Sequence, residues 1–97
     1  MYDIEFYLSI IKVVNTDTPL VTLDVYDNSN DRILVIEDIL EATYLGVVRR
    51  YVLLCECSRY QRVEFRVYWH GTCDVEVEKV VVRPARVRLL IGENELG

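Results

Sequence analysis

The side chains in this 97-residue sequence that are best suited to metal binding or catalysis are three cysteines and one histidine. Cys55 and Cys57 are one residue apart, and a short run from His70 to Cys73 holds the imidazole and the third thiol. Three thiols and one imidazole are the ligand set of a Cys3His zinc site. His70 is the only histidine, so a Ser-His-Asp triad or a Cys-His pair must also use it.

The alternation of apolar residues predicts that these groups do not meet. Residues 50–58, 63–70 and 74–82 have the pattern of three consecutive antiparallel strands joined by short turns. Cys57 would lie at one end of these strands and His70 at the other, and about 17 Å of extended strand would separate Cys55 from the residue opposite His70. We therefore expect three free thiols, no metal site, and no disulfide from Cys73 to either other cysteine.

Catalytic arrangements find little support in the remaining residues. A thiol–imidazole pair of Cys73 and His70 would sit at a hairpin tip that is open to water, without a glycine-rich oxyanion loop. Paired carboxylates for glycoside hydrolysis would have to come from Glu64, Glu76 and Glu78, and so small a domain has little room for a cleft. The sequence has no GxGxxG, P-loop or HExxH pattern. We expect a protein that is not an enzyme and needs no cofactor.

The best candidate site is a row of polar side chains on one predicted strand. Its members alternate with apolar residues and therefore share a face: Glu64, Arg66, Tyr68 and His70. The predicted neighbours on that face are Glu56, Glu76 and Glu78. An aromatic ring beside charged groups can bind a sugar, because the ring covers C–H groups while the charged groups take hydroxyls. The alternative is a solvated outer face that carries cross-strand ion pairs.

The elements that must position these groups are β-strands. β-branched residues number 28 of 97 and alanine occurs only twice, a composition that favours pleated strands over helices. Strand patterns bounded by turn residues cover residues 2–10, 21–26, 32–37, 50–58, 63–70, 74–82 and 85–91. They predict an all-β, antiparallel β-sandwich of jelly-roll type with seven or eight strands, in a single domain of residues 1–97.

Residues 32–45 allow two interpretations. The run Ile33 to Ile36 has the character of a buried strand, followed by a loop. Alternatively, Asp31 could cap a helix that places Ile36, Ile39 and Leu40 on one face. We favour the strand at residues 32–37.

Face parity predicts how the last strands pair, since residues opposite one another across a ladder share a face. It sets Trp69 opposite Tyr51 on one side and opposite Val75 on the other, which places Trp69 at the centre of the core. The same parity turns Lys79 inward unless a β-bulge near Glu78 and Lys79 restores the apolar alternation. We therefore predict a bulge there.

Charge and hydropathy exclude several classes of protein. The net charge of −5 divides into −7 for residues 1–48 and +2 for residues 49–97. The basic residues are dispersed, unlike those of a nucleic-acid-binding domain, and no apolar run approaches the roughly 20 residues of a membrane span. No signal peptide is visible. We expect no nucleic-acid or membrane partner, and we consider a homo-oligomer that pairs through edge strands at residues 2–10 or 85–91.

Two compositional details bear on the source of the protein. A single glutamine and a single methionine, with abundant valine, glutamate and arginine, favour a thermophilic organism. An odd number of cysteines favours a reducing compartment. The sequence leaves the cellular location open.

Residues 51–82 carry a resemblance to a known family. They read YVLLCECSRYQRVEFRVYWHGTCDVEVEKVVV. The order of a Y-x-L strand, a VEFRVYW strand, a tight G-T turn and a valine-rich closing strand resembles the C-terminal half of β-sandwich domains of the carbohydrate-binding-module-like family, also described as galactose-binding or jelly-roll domains. The resemblance covers about a third of the chain. It implies a jelly-roll fold and recognition of a glycan.

The resemblance also carries implications for single residues. Members of the family often hold a structural calcium through a late-strand Asp and an N-terminal acid; Glu78 and Glu5 are the corresponding residues here, a departure from that pattern. Members also expose aromatic rings, for which the candidates are Tyr26, Tyr44, Tyr60 and Tyr68. We expect a non-catalytic carbohydrate-binding module, with a structural or assembly protein as the alternative.

Overall fold

A computed structural model describes residues 1–14, 18–42, 44–58 and 61–85 of the chain. These residues form six β-strands: β1 (Tyr2–Val13), β2 (Val21–Asp27), β3 (Arg32–Ile39), β4 (Arg49–Cys55), β5 (Val63–Trp69) and β6 (Cys73–Pro84). The described ranges contain no helix, and so none that is long and apolar enough to cross a membrane. The predicted all-β class is confirmed.

The strands form two antiparallel sheets of three strands each in a sandwich-like arrangement. Sheet A has the order β4-β1-β6, and sheet B has the order β3-β2-β5. The central strands β1 and β2 supply most of the buried apolar cluster: Ile4, Phe6, Leu8 and Ile10 from β1, and Val21, Leu23 and Val25 from β2. The predicted alternation in both strands follows from this arrangement, because every second side chain must enter the core.

The turn between β2 and β3 is held by one buried carboxylate. Asp27 accepts hydrogen bonds from the backbone N–H of Ser29 at 2.8 Å and of Asn30 at 3.3 Å, the pattern of an Asx turn. A hydrogen bond from the Asn30 side chain holds the pKa of Asp27 below its ordinary value despite its burial. The backbone N–H of Ser29 and the side chain of Gln61 contribute in the same direction. Asp31 has a φ of 54°, which aspartate tolerates better than a β-branched residue does.

The strand interpretation of residues 32–37 is confirmed, and the helix alternative is wrong. β3 spans Arg32–Ile39 and pairs with β2 along its length. The run of β-branched residues that favoured a strand therefore outweighs the helical spacing of its isoleucines, because β2 offers a neighbouring ladder within one tight turn.

The predicted hairpins of β5 with β4 and with β6 are wrong. β5 pairs with β2, so that Val67 lies opposite Leu23 and Phe65 lies opposite Val25. Strands β4 and β6 both pair with β1 in the other sheet. Parity predicted the inward face of β5 correctly, but any strand with the same alternation can occupy the neighbouring position. The turn after β5 therefore carries the chain from sheet B to sheet A.

Trp69 does not lie at the centre of the core, contrary to the prediction. It has inward parity, opposite Val21, but it ends β5 at the rim of sheet B, where it is 59% exposed. Its indole Nε1 donates a hydrogen bond to the carbonyl oxygen of Cys73. The largest fully buried side chain is Phe6 instead.

The β-bulge predicted near Glu78 and Lys79 is confirmed. Tyr7 lies opposite Lys79 and Leu8 lies opposite Val77, so Glu78 has no partner in the ladder. The extra residue restores the inward parity of the following valine. The partner strand is β1, whereas the prediction assumed β5.

The edge strands also differ from those predicted. Residues 2–10 belong to β1, which is the central strand of sheet A and has neighbours on both sides. The other predicted edge, residues 85–91, lies outside the described residues except for Ala85. The edges of the described sheets are β4 and β6 in sheet A, and β3 and β5 in sheet B.

Candidate functional site

The outer surface of sheet B carries all four residues that the sequence singles out for ligand binding. Because the apolar side chains of β2 and β5 enter the core, the intervening side chains of both strands point outward. They pair across the ladder as Thr22 with Tyr68, Asp24 with Arg66, and Tyr26 with Glu64. This surface is named the polar face, and it comprises Thr22, Asp24, Tyr26, Asp38, Glu64, Arg66, Tyr68 and His70.

The neighbours predicted for this surface are wrong. Glu56 follows β4, and Glu76 and Glu78 lie on β6, so these residues belong to the side of sheet A. The neighbours of β5 come from β2, with β3 beyond it. The acidic groups that the neighbouring strands bring to the polar face are therefore Asp24 from β2 and Asp38 from β3.

Arg66 is held in one orientation by two partners. Its Nε and Nη2 atoms donate hydrogen bonds to Oδ1 and Oδ2 of Asp24, each at 2.8 Å. Its guanidinium lies over the ring of Tyr26, 4.2 Å from the ring centroid. The hydrogen bonds that Arg66 donates to Asp24 raise the pKa of Arg66 above its ordinary value. The bidentate pair fixes the centre of the polar face, and one side of the Tyr26 ring is covered.

A chain of hydrogen bonds crosses the polar face next to this pair. The hydroxyl of Thr22 donates to Oδ1 of Asp38 at 2.6 Å, and the same Oγ1 lies 2.7 Å from Nε2 of His70. A threonine hydroxyl has only one hydrogen, so Nε2 of His70 must carry the proton and donate to Thr22. These two hydrogen bonds therefore orient the imidazole of His70. Its Nε2 atom is bound to Thr22, and its Nδ1 atom is not.

Tyr68 is the exposed aromatic ring of the polar face. It is 63% exposed, and its ring lies 4.8 Å from the His70 ring, centroid to centroid, with a tilt of 56° between the planes. Among the other aromatic candidates, Tyr44 is equally exposed but lies in the loop before β4. Tyr60 lies outside the described residues.

Three residues of the polar face were not predicted from the sequence as members of a site. Thr22 and Asp24 alternate with the apolar residues of β2, and this pattern predicted that they face away from the core. Asp38 lies at the end of β3, opposite Thr22. The missing information was the pairing of β2 with β5, since only that ladder brings these side chains to Arg66 and His70.

A second cluster of charges lies on the outer surface of sheet A. Glu5 is only 4% exposed, and its carboxylate accepts hydrogen bonds from Arg83 at 3.2 Å, Tyr7 at 3.0 Å and Arg50 at 3.5 Å. Burial alone would raise the pKa of Glu5, but the hydrogen bonds from Arg83 and Tyr7 and the charges of both arginines bring it below its ordinary value.

The calcium ligands implied by the family resemblance do not fit this arrangement. Both oxygens of Glu5 are taken by Arg83, Tyr7 and Arg50, and two guanidinium groups repel a cation. Glu78 is the bulged residue of β6. The described residues also contain no cluster of three or more His, Cys, Asp or Glu able to hold a metal.

All three cysteines bear free thiols, and Cys73 is distant from the neighbouring pair Cys55 and Cys57. Cys55 pairs with Tyr2 and Cys73 pairs with Val13, at opposite ends of β1. Burial, together with the neighbouring Cys57, raises the pKa of Cys55 to about 11. Burial and the charge of Asp74 raise the pKa of Cys73. Both buried cysteines are therefore thiols rather than nucleophilic thiolates at neutral pH.

Comparison with known proteins gives no relative for this chain. No protein-family model, no curated protein and no solved structure matches it.

Proposed function

We propose that this chain is a non-catalytic binding module that recognises a carbohydrate through its polar face. The observation that carries the proposal is the exposed ring of Tyr68, which lies beside an imidazole in a fixed orientation and on the same surface as carboxylates and a guanidinium. Aromatic rings next to oriented polar groups are suited to sugars, which present C–H faces and hydroxyls together.

The polar groups of the face divide into two kinds. Arg66 and Asp24 form a bidentate pair, and Asn28 donates to Glu64 at 2.6 Å. These contacts hold side chains in place before a ligand arrives, which lowers the entropic cost of binding. His70 and Asp38 are more exposed and lie at the Tyr68 end of the face. In this proposal a sugar ring stacks on Tyr68 and its hydroxyls meet His70 and Asp38.

The test is a glycan array followed by calorimetry with the best ligand. Tyr68→Ala is expected to lower the affinity about tenfold or more, because it removes the stacking surface. Tyr44→Ala is the matched control, since Tyr44 has the same exposed fraction of 63% but lies away from the polar face. Absence of any glycan ligand, or an equal effect of both variants, contradicts the proposal.

A second candidate function is that of a structural or assembly protein. The observation that favours it is the pair of exposed aliphatic side chains Val52 and Leu54 on the outer surface of sheet A, since such side chains are common where subunits meet. Sedimentation over a range of protein and salt concentrations tests it. A monomer under all conditions contradicts this candidate function.

Two finer assignments remain part of the proposal. The jelly-roll type, with seven or eight strands, is a prediction that depends in part on residues 86–91. The thermophilic source is also a prediction, and thermal unfolding of the purified protein tests it: a midpoint in the range of 45–65 °C, which is usual for mesophilic domains, would contradict it.

A further inference from the structure

Strand β6 presents a long edge with no partner among the described strands. It spans 12 residues, and its other side pairs with β1. Two of its inward-parity valines are substantially exposed, Val77 at 46% and Val82 at 45%. An unpaired edge of this length is a template for another strand, because the backbone N–H and C=O groups along it join no ladder with the strands that the structure describes.

We propose that β6 pairs in antiparallel fashion with β6 of a second copy of this chain, about a two-fold axis that passes between Glu78 and Lys79. In this register Glu78 lies opposite Lys79 of the second copy. Asp74 lies opposite Arg83 of the second copy. The pairing joins two copies of sheet A into one continuous sheet and gives a closed dimer.

Charge complementarity selects the second copy as the partner. The first half of β6 carries the acids, at 74, 76 and 78, and the second half carries the bases, at 79 and 83. A two-fold axis between Glu78 and Lys79 therefore sets two of the three acids, Asp74 and Glu78, against a base, and it sets Glu76 against the uncharged Val81. Moving the register by one residue in either direction sets Glu78 or Lys79 against its own copy, which places like charges together.

The β-bulge makes this register consistent with the faces of the sheet. Val77 lies opposite Leu8 and Val80 lies opposite Phe6, so both valines have inward parity although they are three residues apart. In a regular strand they would lie on opposite faces. The bulge thus allows Val77 to meet Val80 of the second copy on the same face, as cross-strand partners must.

A bulge usually protects an edge by twisting it away from a partner. Here the two-fold axis passes through the bulge, so both strands would carry the same distortion at the same point. The extra twist of one copy therefore matches that of the other. An unrelated strand without a bulge at that position would not match this twist.

This proposal does not depend on glycan binding. The polar face belongs to sheet B, whereas β6 lies at the edge of sheet A. A dimer through β6 leaves both polar faces free and would raise the avidity for a repeated ligand. Loss of the dimer with retained glycan affinity, or the reverse, would separate the two proposals.

The first test measures the dimerisation constant of the full chain by analytical ultracentrifugation. Glu78→Lys is expected to raise the Kd of the dimer at least about tenfold, because it sets two lysines together on each side of the axis. The double variant Glu78→Lys/Lys79→Glu restores opposite charges and is expected to restore the dimer. Glu56→Lys, an equal charge change on an exposed residue outside β6, is the control.

The second test determines the register and does not depend on the charge variants. In a Cys57→Ser background, Val75→Cys and Val82→Cys proteins are oxidised separately and as a mixture. A disulfide-linked dimer is expected only in the mixture, because each position faces the other and not itself. A monomer at every concentration, a dimer unaffected by Glu78→Lys, or no cross-link in the mixture would overturn the proposal.

Discussion

The outer surfaces of the two sheets share one feature, a nearly buried carboxylate that is paired with arginine, and they differ in the residues around it. Each central strand carries one outward carboxylate that is nearly buried, Glu5 on β1 at 4% exposed and Asp24 on β2 at 8% exposed. Glu5 is paired with one arginine from each neighbouring strand, Arg50 of β4 and Arg83 of β6, and Asp24 is paired with Arg66 of β5. The recurrence indicates that these ion pairs mainly satisfy a charge on the middle strand of a narrow sheet, where a bare carboxylate would be costly.

The surroundings of the two carboxylates are different. On sheet A the Glu5 cluster is flanked by the exposed aliphatic residues Val52 and Leu54. On sheet B the Asp24 pair lies beside Tyr68 and the hydrogen-bonded chain that ends at His70. The sequence suggested Arg66 as a ligand-binding residue. The comparison indicates that the main contact of Arg66 is its ion pair with Asp24. In the proposed carbohydrate site, the groups left to contact the sugar are Tyr68, His70 and Asp38.

The largest expected effect comes from removing the carboxylate on the side of the proposed site. Asp24→Ala is expected to lower glycan affinity about tenfold or more and also to lower stability, because Arg66 loses both of its hydrogen bonds. Glu5→Ala is the matched change on sheet A and is expected to lower stability alone. Calorimetry and urea unfolding distinguish the two outcomes. Equal losses of affinity in both variants would contradict the assignment of the site to sheet B.

A smaller effect is expected from the hydroxyl that links His70 to Asp38. Thr22→Val keeps the shape of the side chain but leaves two partners without their hydrogen bonds, and about 1–2 kcal/mol of unfolding free energy should be lost. Thr22→Ser retains the hydroxyl and is the control. Urea denaturation measures both, and unchanged stability in Thr22→Val would show that the chain of hydrogen bonds is not important for folding.

The smallest expected effect is a change in the pH dependence of stability. The folded-state pKa of Glu5 lies below its ordinary value of 4.5, so the ion cluster contributes its full stability above pH 4.5 and loses it as the pH falls through the folded pKa. Glu5→Gln should therefore flatten the decline that begins below about pH 4.5. The decline that Asp27 causes below its ordinary value of 3.8 should remain. Thermal unfolding at a series of pH values measures this, and identical profiles would exclude the assigned role of Glu5.

The candidate site was predictable to the extent that it depends on alternation. Glu64, Arg66 and Tyr68 share a face because they are two residues apart, and this holds whichever strand lies beside them. Asp38 could not be assigned to the same surface, because it is distant in sequence and reaches Thr22 only through the ladder of β3 with β2. The pairing of Arg66 with Asp24 could not be predicted for the same reason, because it depends on the ladder of β5 with β2.

Local chemistry by itself determined the strands, their inward faces, the turn after Asp27 and the bulge at Glu78, because these depend on side-chain parity and on residues within a few positions of one another. Only the tertiary structure decided which strands are neighbours. The ladder of β5 with β2, the exposure of Trp69 and the central position of β1 all depend on that choice. Parity is a two-valued property that many strands share, so it specifies the direction of a side chain and leaves its partner to the packing of the whole chain.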